Sequence, residues 1–292
     1  MSSDSTERQA TASGVSVMIF TLNEALNLPT CLDALKWCDD VIVVDSLSSD
    51  DTGKIARGHG ARFFSNPFAG FGVQRNWALD HATPKYPWIL ILDSDERVPT
   101  ELAKEITEIA KTDPAGIGAF RVRRRFHMWG RWLKYSSLYP TWVVRFIHRD
   151  RVRYVNRGHA ETQTIEGNLR DLKNDLIDEN LKGIDEWFER QNRYSRKEAD
   201  YELSQAKQES DRPDLFSRDP LRRRAAVKHF ARRVPFRGAF YFIYAFVFRF
   251  GFLDGRDGLM FCRMRALYQA EVELKKYDFD RQTRRSPSSR RA

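Results

Sequence analysis

Two carboxylates, Asp93 and Asp95, close the stretch Trp88-Ile-Leu-Ile-Leu-Asp-Ser-Asp-Glu96. An i, i+2 spacing turns both side chains to one side of an extended backbone. Paired carboxylates form a hard oxygen site suited to Mg²⁺ or Mn²⁺. Asp-x-Asp alone is common on solvated loops, and the residues before it give this one its weight. Ile89, Leu90, Ile91 and Leu92 predict a strand buried on both faces of a parallel sheet. Such sheets bind ligands beyond the carboxyl ends of their strands. Two like charges placed there cost free energy unless a partner is supplied.

Other polar residues recur at equivalent places. Thr21, Asn23 and Glu24 follow the apolar run Val15–Phe20, and Asp45 ends Val41–Val44. Arg75 and Asn76 lie on a predicted helix opened by the Gly70/Gly72 turn. These residues must be positioned by a βαβ series. Its strands are expected at 15–20, 41–44, 61–64 and 88–92. The first helix starts near Asn27 and Pro29 and runs through Leu32, Leu35 and Trp37. The second is capped from the loop Ser46–Asp51 and carries Ile55 and Ala56, and the fourth starts at Pro99 with Leu102, Ile106 and Ile109. With right-handed crossovers the series predicts a doubly wound α/β sheet.

The pattern changes after residue 115. Gly118–Phe126, Thr141–Phe146, Val152–Val155 and Ala160–Ile165 read as shorter, antiparallel strands. A helix is expected over Asp178–Ser210, with Leu181, Ile184, Trp187 and Phe188 on one stripe. A basic run from Arg222 to Arg233 then precedes the aromatic segment Phe236–Phe252. Four regions result: a disordered tail (1–14), a ligand-binding α/β domain (15–165), a helical region (166–278) and a basic disordered tail (279–292).

The 292 residues are 41% apolar and 30% charged, a globular composition. A net charge of +9 points to an anionic partner. Known nucleotide and hydrolase signatures fail: there is no P-loop, no Gly-rich dinucleotide fingerprint after a strand and no G-x-S-x-G. The six His show no zinc spacing. Met1–Ser13 carries no apolar core of a signal peptide. Cys31, Cys38 and Cys262 are odd in number and form no C-x-x-C, as in a reducing compartment.

Thr21-Leu-Asn-Glu24, Val43-Val-Asp-Ser-Leu-Ser-Ser-Asp50, Gln74-Arg-Asn-Trp-Ala-Leu79 and Leu92-Asp-Ser-Asp-Glu96 together resemble successive motifs of the glycosyltransferase family 2 enzymes. With His159-Ala-Glu161, Leu181–Ser195 and Gly251–Leu259, the chain more closely resembles the lipopolysaccharide core β-1,4-glucosyltransferase branch. The resemblance implies a glycosyltransferase-A fold, a Rossmann-like mixed sheet with helices on both faces. It also implies a nucleoside-diphosphate sugar donor (UDP first), a divalent metal and inversion at the anomeric carbon. Thr21, Asn23, Glu24, Asp45 and Asn76 would then hold the nucleoside. Asp95 would ligate the metal, with Asp93 either beside it or on the ribose. Inverting transfer needs one carboxylate to take the acceptor's proton; Glu161 is the candidate, with Asp171 and Asp175 in reserve. Arg170 departs from the aromatic or His common near this position in the close family.

Arg123, Arg124, Arg125, Arg131 and Arg145 could add phosphate contacts. Phe236–Phe252 is short for a membrane span and interrupted by Arg237 and Arg249. It reads either as an interfacial segment on an anionic surface or as a buried helix. The expected acceptor is a lipid-linked glycan such as the lipopolysaccharide inner core. The expected location is the cytoplasm, peripheral on the cytoplasmic face of the inner membrane. A polyprenyl-phosphate glycosyltransferase is the same-fold alternative, though its usual pair of long transmembrane helices is missing. A nucleic-acid-binding protein is the alternative of another class, and it leaves the strand-end carboxylates unexplained.

Overall fold

The computed structural model describes residues 14–157, 160–208 and 235–285. The chain forms two compact units, one running to Trp132 and resuming over Tyr139–Lys182, the other made of Leu133–Leu138 and the residues from Gly183 onward.

The first unit begins β1 (Val15–Thr21), α1 (Leu28–Asp33), β2 (Val41–Asp45), α2 (Thr52–Gly58), β3 (Arg62–Ser65), α3 (Phe71–His81) and β4 (Trp88–Asp93). It continues β5 (Glu96–Arg97), α4 (Thr100–Thr112), β6 (Ile117–Met128), β7 (Arg131–Trp132), β8 (Thr141–His148), β9 (Val152–Arg157), β10 (Ala160–Ile165) and β11 (Asn168–Glu179). The main sheet has the order β3-β2-β1-β4-β8-β6-β11-β5. Its first four strands are parallel, as the βαβ series predicts, and β8 then joins β4 antiparallel. Strands β9 and β10 form a separate antiparallel hairpin.

Register sets the geometry of the site. Thr21 lies opposite Asp45 across β1–β2, and Phe20 lies opposite Asp93 across β1–β4. Three strand ends therefore share one edge. Their side chains alternate between two apolar layers. Val17, Ile19, Leu90 and Leu92 pack with Leu28, Leu102 and Ile106 on one face. Met18, Ile89 and Ile91 pack with Ala78, Leu79 and Tyr154 on the other. Trp88 through Leu92 are fully buried, which stabilises the fold by about 1.5–3 kcal/mol for each large apolar side chain.

Several expectations need correction. Helix α1 stops at Asp33, because Leu35 bonds back to the Leu32 carbonyl and Cys38 to that of Leu35, tightening the chain into turns. Strand β6 is long, with twelve residues. Strand β11 occupies residues expected to be helical or loop, and it runs parallel to β6 rather than antiparallel. Its sequence is so rich in charge that it hides the strand signal, since its carboxylates face arginines of β6 instead of apolar neighbours. Asp178 is the penultimate residue of this strand, which ends at Glu179, instead of starting a helix. The sheet therefore extends past residue 165, and the boundary between units falls at Lys182/Gly183.

The second unit contains α5 (Gly183–Gln208), α6 (Arg237–Ile243), a π turn (Tyr244–Phe248), a 3₁₀ turn (Gly251–Asp254) and α7 (Gly255–Arg285). The buried stripe of α5 is Trp187, Gln191, Ser195, Ala199 and Glu202; Ile184 and Phe188 face outward. Three of these five residues are polar, and two of them have partners on the helices that follow. Ser195 donates to Glu271 at 2.9 Å, and Glu202 accepts from Arg237 at 2.9 Å and Lys276 at 2.7 Å. Leu133–Leu138 belongs here because the Asp254 carboxylate takes the N–H groups of Tyr135 (2.9 Å) and Ser136 (2.8 Å) and the Ser136 hydroxyl (2.7 Å). The basic run expected over 222–233 lies outside the described residues. All three cysteines are free, and no described helix is long and apolar enough to cross a membrane.

Candidate active site

The rim at the ends of β1 and β2 is built from side chains that hold one another. Thr21 Oγ1 donates to Asp45 Oδ1 at 2.8 Å, and Asp45 Oδ2 accepts the Ser48 N–H at 2.7 Å. Asn23 takes a left-handed φ of 56°, which Asn tolerates better than most residues. That turn aims its N–H at Ser48 Oγ (2.7 Å) and its Oδ1 at the Ser49 N–H (2.8 Å). The Glu24 carboxylate accepts from Asn27 Nδ2 at 2.8 Å and Lys182 Nζ at 2.6 Å. Asp50, rather than the last loop residue Asp51, receives the Thr52 N–H at the start of α2, at 3.0 Å. These bonds stitch the β1–α1 loop to the β2–α2 loop. Beside them opens a cleft of about 390 Å³ lined by Asp45, Ser48, Asp50, Lys54, Arg57 and Phe63.

At the end of β4 the chemistry is ionic. Asp93 receives Arg75 at 3.4 Å and a close ion pair from Arg145. Arg145 also reaches Glu96 at 2.8 Å, and Glu96 Oε2 accepts the Asp93 N–H at 2.9 Å. Arg75 lies over the rings of Phe20 (5.6 Å) and Tyr154 (5.3 Å). Burial alone would raise the Asp93 carboxyl, but Arg145 and then Arg75 outweigh it and hold it below the ordinary range. Burial raises the Glu96 carboxyl, with Asp93 adding to the effect. The Arg145 guanidinium, which burial would lower, is pushed up by the two carboxylates. Arg145, expected among the phosphate contacts, is instead buried and already paired.

Asp95 sits two residues on, in the turn between β4 and β5, with its carbonyl accepting the Glu179 N–H at 2.9 Å. Among the described residues, no three His, Cys, Asp or Glu side chains are grouped to hold a metal ion. The donor set at this turn is thus one or two carboxylates. That suits Mg²⁺-like ions, which keep waters and take substrate phosphates as further ligands.

Asn76 spends its amide on the Tyr154 backbone, donating to its carbonyl at 2.8 Å and accepting its N–H at 2.9 Å. It holds β9 against α3. Glu161 lies on β10 opposite Asn156, and its side chain is outside the described residues. Asp171 pairs with Arg121 at 2.5 Å; Asp175 pairs with Arg123 at 2.6 Å and Arg125 at 2.7 Å and accepts the Tyr139 hydroxyl at 2.9 Å. Burial would raise Asp175, but these donors hold it below the ordinary range, a poor setting for a base. Arg124 pairs with Asp178 at 2.9 Å. Part of the positive charge expected to meet phosphate is neutralised within the sheet.

The model of the family described as "Glycosyl transferase family 2" matches residues 16–171. A lipopolysaccharide core biosynthesis glycosyltransferase, LpsC of Rhizobium meliloti (strain 1021), is 28% identical over 200 residues, 66% of this chain and 73% of LpsC. An uncharacterized glycosyltransferase of Rickettsia felis is 38% identical over 96 residues, covering 32% of this chain and only 33% of that protein. Glucosyl-3-phosphoglycerate synthase of Mycobacterium tuberculosis, solved with Mn²⁺ and UDP-glucose, is 28% identical at a TM-score of 0.32, covering 39% of this chain and 43% of that one. The family match takes in β1 to β4 except Val15, the loops that carry the rim and most of the sheet beyond. By that match and the mixed α/β sheet beneath it, the chain is a glycosyltransferase and belongs to glycosyl transferase family 2.

Proposed function

We propose that the protein is an inverting hexosyltransferase that moves a sugar from a nucleoside-diphosphate donor, UDP-linked, to a lipid-linked glycan such as a lipopolysaccharide inner core, at the cytoplasmic membrane face. The observation that carries the donor side is the register that brings Thr21, Asp45 and Asp93 to one edge, with Asp45 lining the cleft and Asp93 two residues before Asp95. Thr21, Asn23, Glu24 and Asp45 offer hydrogen bonds to base and ribose. Asp95 supplies the metal-binding carboxylate, and Asp93, held ionised by two guanidiniums, faces the ribose or the same metal. A divalent metal, Mg²⁺ or Mn²⁺, supplies charge neutralisation on the diphosphate leaving group. LpsC, a lipopolysaccharide core enzyme by name, supports the acceptor class.

On the acceptor side, Glu161 removes the hydroxyl proton as the oxygen attacks the anomeric carbon. Arg145 and Glu96 do not touch substrate; they fix the turn that carries Asp93 and Asp95. The test is thermal unfolding with UDP, Mn²⁺ and both together. A ligand present at 100 times its Kd stabilises by about 2.7 kcal/mol. The parent should be stabilised most by the pair, and Asp95→Ala should lose the Mn²⁺-dependent increment while keeping its own melting transition. Stabilisation by a generic oligonucleotide and none by UDP with Mn²⁺ would overturn the reading.

A further inference from the structure

The aromatic segment of the second unit is packed the reverse of an ordinary helix. Its buried residues are small: Gly238, Ala245 and Gly251. Its large residues face outward, with Phe236 76%, Phe240 58%, Phe248 70%, Phe250 55% and Leu253 55% exposed. Close approach enforces this orientation. A Cβ on Gly238 would lie 2.6 Å from the Ala266 carbonyl of α7, and one on Gly251 would lie 2.7 Å from the Ala245 carbonyl. Turning the segment to bury its rings would drive larger side chains into those contacts. The rings are therefore held out by a finished packing arrangement, and contiguous exposed apolar surface of this kind marks an interaction site.

Charge selects the partner. No acidic residue occurs from 220 to 253, while Arg222, Arg223, Arg224, Lys228 and Arg249 are among the cations in that stretch. The next acid, Asp254, is buried on Tyr135 and Ser136. A second copy of residues 236–253 would bring no acid to meet Arg249. Anionic lipid headgroups over hydrocarbon complement both features. The shape fits as well, because α6 is seven residues long and is followed by π and 3₁₀ turns, a wedge that enters an interface without crossing it.

We propose that residues 236–253 are a docking wedge for an anionic lipid bilayer, with the outward rings seated at the headgroup–acyl boundary. This deepens the lipid-linked acceptor reading, and it is tested without any acceptor. The full chain is sedimented with phosphatidylglycerol/phosphatidylcholine vesicles and with pure phosphatidylcholine, at low and high salt. The parent should bind the anionic vesicles, bind neutral ones weakly, and be only partly released by salt, since the ring contribution is not screened. The double variant Phe240→Ser/Phe248→Ser should lose at least about tenfold in vesicle affinity while its donor hydrolysis and melting temperature stay at parent values. Arg249→Glu, which leaves the rings in place, should weaken anionic binding selectively. Equal binding by parent and double variant overturns the proposal, as does no parent binding, or displacement from vesicles by single-stranded oligonucleotide. A double variant that only shifts a dimer to monomer overturns it too and assigns the surface to self-association. Failure of donor hydrolysis with vesicle binding intact would instead count against the catalytic reading.

Discussion

Replacing Arg145 by Met isolates what one buried guanidinium does for the site. Arg145 bridges Asp93 and Glu96, and Glu96 in turn caps the Asp93 N–H. Met keeps much of the aliphatic volume and removes the charge, leaving two carboxylates facing each other with Arg75 on Asp93 and the more distant Arg124 as the remaining cations. Removing one partner of a buried ion pair costs about 3–5 kcal/mol. With a urea slope of about 2 kcal/mol per molar, the unfolding midpoint should fall by about 1.5–2.5 M. Acid should then discriminate the cause. In the parent, Asp93 lies below its ordinary range, so its contribution is present above that range and lost as pH falls through the lowered value. In the variant, burial and mutual repulsion raise both carboxyls, so stability is gained as pH falls. The gap between the two proteins should therefore narrow from pH 7 toward pH 4. Adding Glu96→Gln should recover part of the loss at neutral pH. A midpoint shift below about 0.5 M, or a gap that stays constant with pH, would refute the electrostatic account.

Glu161→Gln should abolish transfer with UDP binding preserved, a loss of about 10²–10⁴-fold; a fall of less than tenfold would remove Glu161 as the base. Asp45→Ala strips the acceptor from the Thr21 hydroxyl and the Ser48 N–H; it should weaken UDP binding without changing metal dependence, and unchanged affinity by calorimetry would make Asp45 a purely structural residue. Burial pushes the Asp178 carboxyl up to about 6. A raised folded value means that its contribution is present below the ordinary carboxylate range and lost as pH rises through about 6. Asp178→Asn, which keeps an acceptor for Arg124, should match the parent at low pH and exceed it in stability above pH 6; parallel stability curves would count against this. Gly238→Val should destabilise the helical unit by forcing α6 off α7, visible as lost hydrogen-exchange protection in α6 with none lost in β1 or β4.

Legibility in the sequence followed from whether one element could be read by itself. The apolar runs at Val15, Val41 and Trp88 carry their own period and length, so three strands and the edge they share could be placed from residues alone. Residues with partners far along the chain could not. Strand β11 looks like solvent-facing charge until Arg121, Arg123 and Arg125 lie beside it. Arg145 reads as one of several surface arginines because nothing local says that Asp93 and Glu96 await it. Asn76 reads as a ligand contact on its helix, but its amide answers backbone groups of Tyr154, in a strand that local pattern shows only as a short run. Glu96 carried the one signal that could have helped: an acid directly after the Asp-Ser-Asp turn, in a segment otherwise destined for burial.

The short excursion Leu133–Leu138 has a bearing on how this chain can be cut or recombined. Because it clusters with the helical unit, the polypeptide passes between the two units at 132/133 and 138/139 as well as at 182/183. A truncation after Lys182 would seem to excise a self-contained catalytic domain. It would instead strand this loop without Asp254, leaving the N–H groups of Tyr135 and Ser136 and the Ser136 hydroxyl without the acceptor that now satisfies all three. Chimaeras that exchange the helical unit between relatives face the same constraint, so the loop at 133–138 has to travel with its own Asp254 for the graft to fold.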